Sequence, residues 1–110
     1  MAPFLEAGTV FSEEEEVKYV TVDGRIYYSD ATDPMDKSLE QHAKLADKAG
    51  AYTPPFGKPT VDDGGILHYS NGEIKLRSYT TTCQIRDQKL AIEITTSVIK
   101  KTLGEKIKVI

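Results

Sequence analysis

The side chains here that could do chemistry are few: His42 and His68, the single thiol of Cys83, the adjacent carboxylates Asp62 and Asp63, and the basic residues that gather after position 72. A cysteine nucleophile needs a neighbouring base and an electropositive pocket. Arg77 and Arg86 lie near Cys83 in sequence, and His68 can reach it from an adjacent strand. His42, His68, Cys83, Asp62 and Asp63 therefore form the candidate polar set of a small-molecule pocket or a small active site. A plainer reading competes with this one and is preferred. Cysteine is among the residues most often found inside a protein. His42 falls on an apolar helical stripe, where a hydrogen-bonded histidine at the core edge is common, and Asp62-Asp63-Gly64-Gly65 reads as a turn.

No stronger catalytic motif is present. The chain has no Gly-x-x-x-x-Gly-Lys-Ser/Thr phosphate loop, no Gly-x-Gly-x-x-Gly and no His-Glu-x-x-His. One cysteine cannot build a thiolate zinc site, and the position two after His68 is Ser70 rather than a second histidine. The acidic stretch Asp30 to Asp36 lacks the glycine and the closing carboxylate of a calcium loop. No metal and no cofactor are expected, and the chain leans away from being an enzyme.

Two binding surfaces remain. Lys75, Arg77 and Tyr79 alternate along one segment, and with Arg86 they form a candidate nucleic-acid face on which Tyr79 would stack a base. An acidic pI near 5.4 and the absence of tryptophan argue against that use. Tyrosine offers apolar area and a hydroxyl at low entropic cost, which enriches it in interfaces. Six tyrosines in 110 residues therefore favour a protein–protein role. Tyr19, Tyr27 and Tyr28 on one hairpin, with Tyr52, Phe56 and Lys58 in a Pro/Gly-rich stretch, are the expected contacts to a partner or to a second copy.

Composition bounds the class. The chain is 39% hydrophobic and 28% charged, as in soluble globular domains, and its length suits a single domain. The longest apolar run falls well short of the ~20 residues that cross a bilayer. Met1 to Glu6 lacks the basic and apolar regions of a signal peptide. With one cysteine no internal disulfide forms, and a cytoplasmic setting is expected. Charge is uneven: residues 1–72 hold 13 acidic and 6 basic side chains, residues 73–110 hold 4 and 8. If basic strands lie beside acidic ones this asymmetry is neutralised on folding, which is the favoured expectation.

The elements that must position these residues follow from local signals. Val17 to Ser29 is a β-hairpin around Asp23-Gly24, and Ile66 to Tyr79 is a second one around Asn71-Gly72. Both dipeptides suit type I′ turns, which need φ > 0 at two successive residues. Glu13 to Glu16 is expected to be a solvated acidic connector, because neighbouring like charges repel. Asp33 as N-cap, Pro34 at the first helical position and Met35, Leu39, His42, Ala46 and Ala49 on one face predict an amphipathic helix over about 34–49, ended by Gly50. Residues 51–65 read as a long loop, the segment expected to be functional. Leu90, Ile92 and Ile94 alternate with polar residues and predict a strand. Residues 97–110 are compatible with a helix or a hairpin, with β-branched content favouring strands. The whole is an α+β domain: an antiparallel, hairpin-rich sheet of five to seven strands with one helix on one face, and residues 1–12 as a possible arm.

Overall fold

The computed structural model describes residues 4–29 and 41–110. The expected helix start at Asp33-Pro34, the stripe positions Met35 and Leu39, and the Asp30–Asp36 stretch lie outside these residues. The order is β1 (Glu15–Val22), β2 (Arg25–Tyr28), α1 (Gln41–Lys48), β3 (Thr60–Val61), β4 (Asp63–Ser70), β5 (Glu73–Ser78), β6 (Gln84–Ile85), α2 (Ala91–Leu103) and β7 (Lys108–Val109). Five strands form a mostly antiparallel sheet in the order β2-β1-β4-β5-β7, and β3 pairs with β6 in a small parallel ribbon. β7 joins β5 in parallel.

Both hairpins form where the turn chemistry places them. Val22 pairs with Arg25 around Asp23 and Gly24, whose φ values are 49° and 77°. Ser70 pairs with Glu73 around Asn71 and Gly72, at 53° and 75°. Two successive left-handed residues give the twist that antiparallel strands need.

Successive strand residues point to opposite faces, and here both faces are apolar over part of their area. On one face Val17, Tyr19, Ile26, Leu67 and Ile74 pack with Val98 and Ile99 of α2 and with Leu5 and Phe11 from the N-terminal segment. On the other, Val20 and Val22 pack with Leu45 and Ala46 of α1, Val61 and Cys83. The described part of the N-terminal segment, from residue 4, is held against the sheet. Leu5 and Phe11 are buried, and the Leu5 amide donates to the Ile26 carbonyl at the outer edge of β2.

The second helix corrects the expectation of a single one. In residues 90–103 the alternating set Leu90, Ile92, Ile94 competes with Ala91, Thr95, Val98, Ile99, which recur at helical spacing. The helical set is the buried one, whereas Leu90 and Ile92 stay 47% and 37% exposed. Asp87 prepares the start: its carboxylate accepts the Lys89 amide and its carbonyl the Leu90 amide. Lys100 and Lys101 in the last turn suit the negative end of the helix dipole. β-branched residues cost a helix only a few tenths of a kcal/mol each, about 0.7 at most. Burying Val98 and Ile99 contributes more, about 1.5–3 kcal/mol per side chain.

Glu13 to Glu16 is solvated as expected, with Glu13, Glu14 and Glu16 exposed, but it is more than a connector: Glu13 accepts the Asn71 amide, Glu14 accepts from Ser70 Oγ and contacts His68, and Glu15 and Glu16 open β1. Hydrogen-bond donors of the β4–β5 hairpin offset the repulsion within the run. A further expectation is overturned: Asp62-Asp63-Gly64-Gly65 is not a turn. β4 begins at Asp63, so the long loop closes earlier than 65.

Candidate functional site

α1 ends in a Schellman motif. The Ala51 amide donates to the Ala46 carbonyl and the Gly50 amide to that of Asp47, with Gly50 at φ 75°. The chain then enters a loop closed at its base by the Thr60 amide on the Tyr52 carbonyl, 2.7 Å. Two more bonds tie it to the 79–84 segment: Lys58 Nζ donates to the Thr81 carbonyl, 2.7 Å, and the Gln84 amide to the Pro59 carbonyl, 2.8 Å.

At the tip, Gly57 N–H donates to the Pro54 carbonyl, 3.0 Å, closing a four-residue turn over Pro54-Pro55-Phe56-Gly57. Phe56, third in this turn, has φ 62°. This is the position that type II turns assign to glycine or asparagine, with proline favoured just before it. A phenylalanine there costs about 1–2 kcal/mol through its Cβ. The ring recovers none of this from the fold, because it is fully exposed; Tyr52 on the same loop is 67% exposed.

The other expected contacts lie elsewhere. Tyr19 is completely buried, and its hydroxyl donates to Asp63 Oδ2 at 2.8 Å. Burial and the Asp63 charge hold that phenol far above its ordinary pKa. Tyr19 therefore offers no surface to a partner. Tyr27 and Tyr28 are half-buried, one beside the Phe4 ring at 6.0 Å, the other edge-on to Phe11 at 5.5 Å.

The polar set expected to line a pocket is spread over separate places. His42 is buried on α1, and its Nε2 must carry the proton because its partner, the Gly65 carbonyl at 2.9 Å, only accepts. Burial lowers the His42 pKa, opposed by that hydrogen bond. His68 stands on β4 against Glu14, 3.2 Å. The bonds from Ser70 and His68 lower the Glu14 pKa. Asp62 faces Arg86 at 3.7 Å and accepts the Asp23 amide. Cys83 sits in the α1 cluster, where burial raises its thiol pKa against the smaller pull of Thr82, Thr80 and Lys58. Such a thiol lacks the activation a nucleophile needs.

Asp63 is the most enclosed of the set, with no exposed surface. Its Oδ2 accepts from Tyr19 Oη and from Thr95 Oγ1 at 2.6 Å. Its Oδ1 accepts from Ser78 Oγ and from the Gly64 amide, each at 2.7 Å. Thr95 also meets Thr21, 2.8 Å, and Gln88 donates to Ser78, 3.0 Å. One carboxylate thereby joins β1, β4, β5 and α2. Four donors, three of them on elements other than its own, make it a structural clasp. Thr95, Ser78 and Gln88 carried no local signal of this role, since their meeting depends on packing.

Of the basic candidates, Lys75 and Arg77 share an open part of the sheet face with Glu16, Ile66 and His68, lining a shallow depression of about 80 Å³. Tyr79 is exposed just beyond β5, and Arg86 belongs with Asp62. Basic residues beside acidic ones recur here, as in Lys108–Glu73 at 3.1 Å. The contribution of Ile66 was legible, because the Asn71-Gly72 turn sets its register opposite Arg77. That of Glu16 required the β1–β4 pairing. Among the described residues no group of three or more His, Cys, Asp or Glu side chains could hold a metal, and no helix is long and apolar enough to cross a membrane. Comparison of the chain with protein-family models, curated proteins and solved structures gives no match.

Proposed function

We propose that this chain is a non-catalytic binding protein that engages a protein partner through the Tyr52–Lys58 loop. One observation carries the reading: Phe56 holds a fully exposed ring on a left-handed backbone that disfavours it. Strained residues persist where the surroundings over-determine them, and they cluster at ligand clamps and other functional positions. The loop is anchored at Tyr52, Lys58 and Pro59, so an aromatic anchor would be presented with little ordering entropy left to lose on binding. The partner chemistry this suits is an apolar pocket that takes one ring, with Tyr52 at its rim. Tyr19 leaves the contact set, and Tyr27 and Tyr28 contribute to packing first. The single, buried Cys83 suits a reducing compartment, and the cytoplasm is the proposed setting.

The test compares the native chain with Phe56→Gly. Glycine relieves the left-handed strain, about 1–2 kcal/mol, and loses about 0.5–1 kcal/mol to backbone entropy. The variant is thus expected to fold with equal or slightly greater stability by urea denaturation. Affinity capture should then retain a protein on the native chain and lose it on the variant. Light scattering separates the homo-oligomeric case, in which a dimer of the native chain becomes monomeric in Phe56→Gly. Identical capture and identical mass for both chains would sink the proposal.

A further inference from the structure

The exposed half of the sheet face that α1 leaves uncovered has a defined grid. Across β1, β4 and β5 the register sets Glu16 opposite His68 and His68 opposite Lys75. In the next row on that face Lys18 lies opposite Ile66, and Ile66 opposite Arg77. Alternate residues of a strand stand about 6.5–7 Å apart and neighbouring strands about 4.8 Å apart. Lys75 and Arg77 thus flank a small depression whose floor is the half-buried Ile66.

The state of the charges distinguishes this spot from the surface around it. Lys108 is paired with Glu73, Arg86 with Asp62, and Lys18 has a partner of its own. Among the described residues Lys75 and Arg77 have no carboxylate within ion-pairing distance, and both are exposed. Two neighbouring unneutralised cations beside an apolar floor attract an anion. A guanidinium supplies two parallel N–H donors to an oxyanion, and an ammonium adds a point charge.

We propose that this depression binds a single terminal oxyanion, a phosphate or carboxylate group, on Arg77 and Lys75 with His68 at its edge. Its volume of about 80 Å³ is several times the ~10–15 Å³ that one water needs on the same measure, which leaves room for one such group. Glu16 and Glu14 on the β1 side, and Glu73 along β5, close the approach to an extended polyanion. A phosphodiester strand crossing the face would meet those carboxylates, whereas one terminal group placed over β5 avoids them. Two cations match a doubly charged phosphate better than a singly charged carboxylate, so phosphate is the tighter ligand.

The experiment is a titration of the ¹⁵N-labelled chain, followed by amide shifts, with inorganic phosphate, with acetate, and with chloride at matched ionic strength. The expected result is saturable shifts at Glu16, Ile66, His68, Lys75 and Arg77, in the millimolar range with phosphate and weaker with acetate. The double variant Lys75→Gln/Arg77→Gln should lose at least about tenfold in affinity, near 1.4 kcal/mol, while shifts elsewhere stay native. Glu16→Gln should tighten phosphate binding. Acetate binding the more tightly would support the same site with a carboxylate as its source. Shifts that fail to saturate, that chloride reproduces, or that survive in the double variant would overturn the proposal. Loss of the Phe56 reading leaves this one untouched, since no residue is shared.

Discussion

Removing the Asp63 carboxylate should be among the costliest single changes in this protein, and the structure gives the size. In Asp63→Ala four donors lose their acceptor. The Thr95 hydroxyl can turn to Thr21, 2.8 Å away. Ser78 is half-buried and can reach water. The Tyr19 hydroxyl and the Gly64 amide are left buried without a partner. Each orphaned donor costs about 1–3 kcal/mol, so the loss should be about 4 kcal/mol. That is a large part of the ~5–15 kcal/mol by which such a domain is stable. With a urea slope of about 1.5 kcal/mol/M the midpoint should fall by about 2.5 M. Asp63→Asn keeps one oxygen for Ser78 and Gly64 and turns an amide toward Tyr19 and Thr95, whose oxygens can accept. It should cost clearly less, about 1–2 kcal/mol. The assay is equilibrium urea unfolding followed by tyrosine fluorescence, with circular dichroism as the second probe. An Asp63→Ala loss below about 1 kcal/mol would refute the reasoning, because relief of the buried charge would then outweigh the bonds it makes. Equal losses for Ala and Asn would refute it too.

Other outcomes follow from the same packing. Gly65→Ala would bring a Cβ to 1.9 Å from the Arg77 carbonyl oxygen and 2.8 Å from the Tyr79 amide, both backbone. It should cost about 3 kcal/mol, whereas Gly64→Ala, with its nearest contact at 3.4 Å, should be far milder in the same unfolding assay. The pKa of His42 is lowered in the folded chain, so its contribution is complete above the unfolded value of about 6.5 and is lost as pH falls from there through the lower folded value. Between about pH 7.5 and pH 5.5 the urea midpoint should drop in the native chain and drop less in His42→Gln. Cys83, buried with its pKa raised, should resist iodoacetamide at neutral pH and react rapidly in urea; fast labelling of the folded chain would reopen a nucleophilic role.

What the sequence determined by itself was local. Asp-Gly and Asn-Gly each encode two left-handed residues in succession, and both hairpins follow with their register. Gly50 closes α1 because only the residue after the last turn must turn left-handed there. Three prolines and Gly57 in 51–59 mark the loop, though not that Phe56 would occupy the strained place within it. Tertiary structure decided what local signals left open. Residues 90–103 carry two periodicities at once, and the sheet face over Tyr19, Ile26 and Leu67 selected the helical one by burying Val98 and Ile99. The fate of Asp63 could not be read from its neighbours Asp62 and Gly64, since its partners Tyr19 and Thr95 are 44 and 32 residues away. The acidic run at 13–16 likewise reads as repulsive until the amide of Asn71 and the hydroxyl of Ser70 are brought beside it. A turn depends on the φ preferences of two residues, whereas burying a charge depends on every donor that the fold brings within reach.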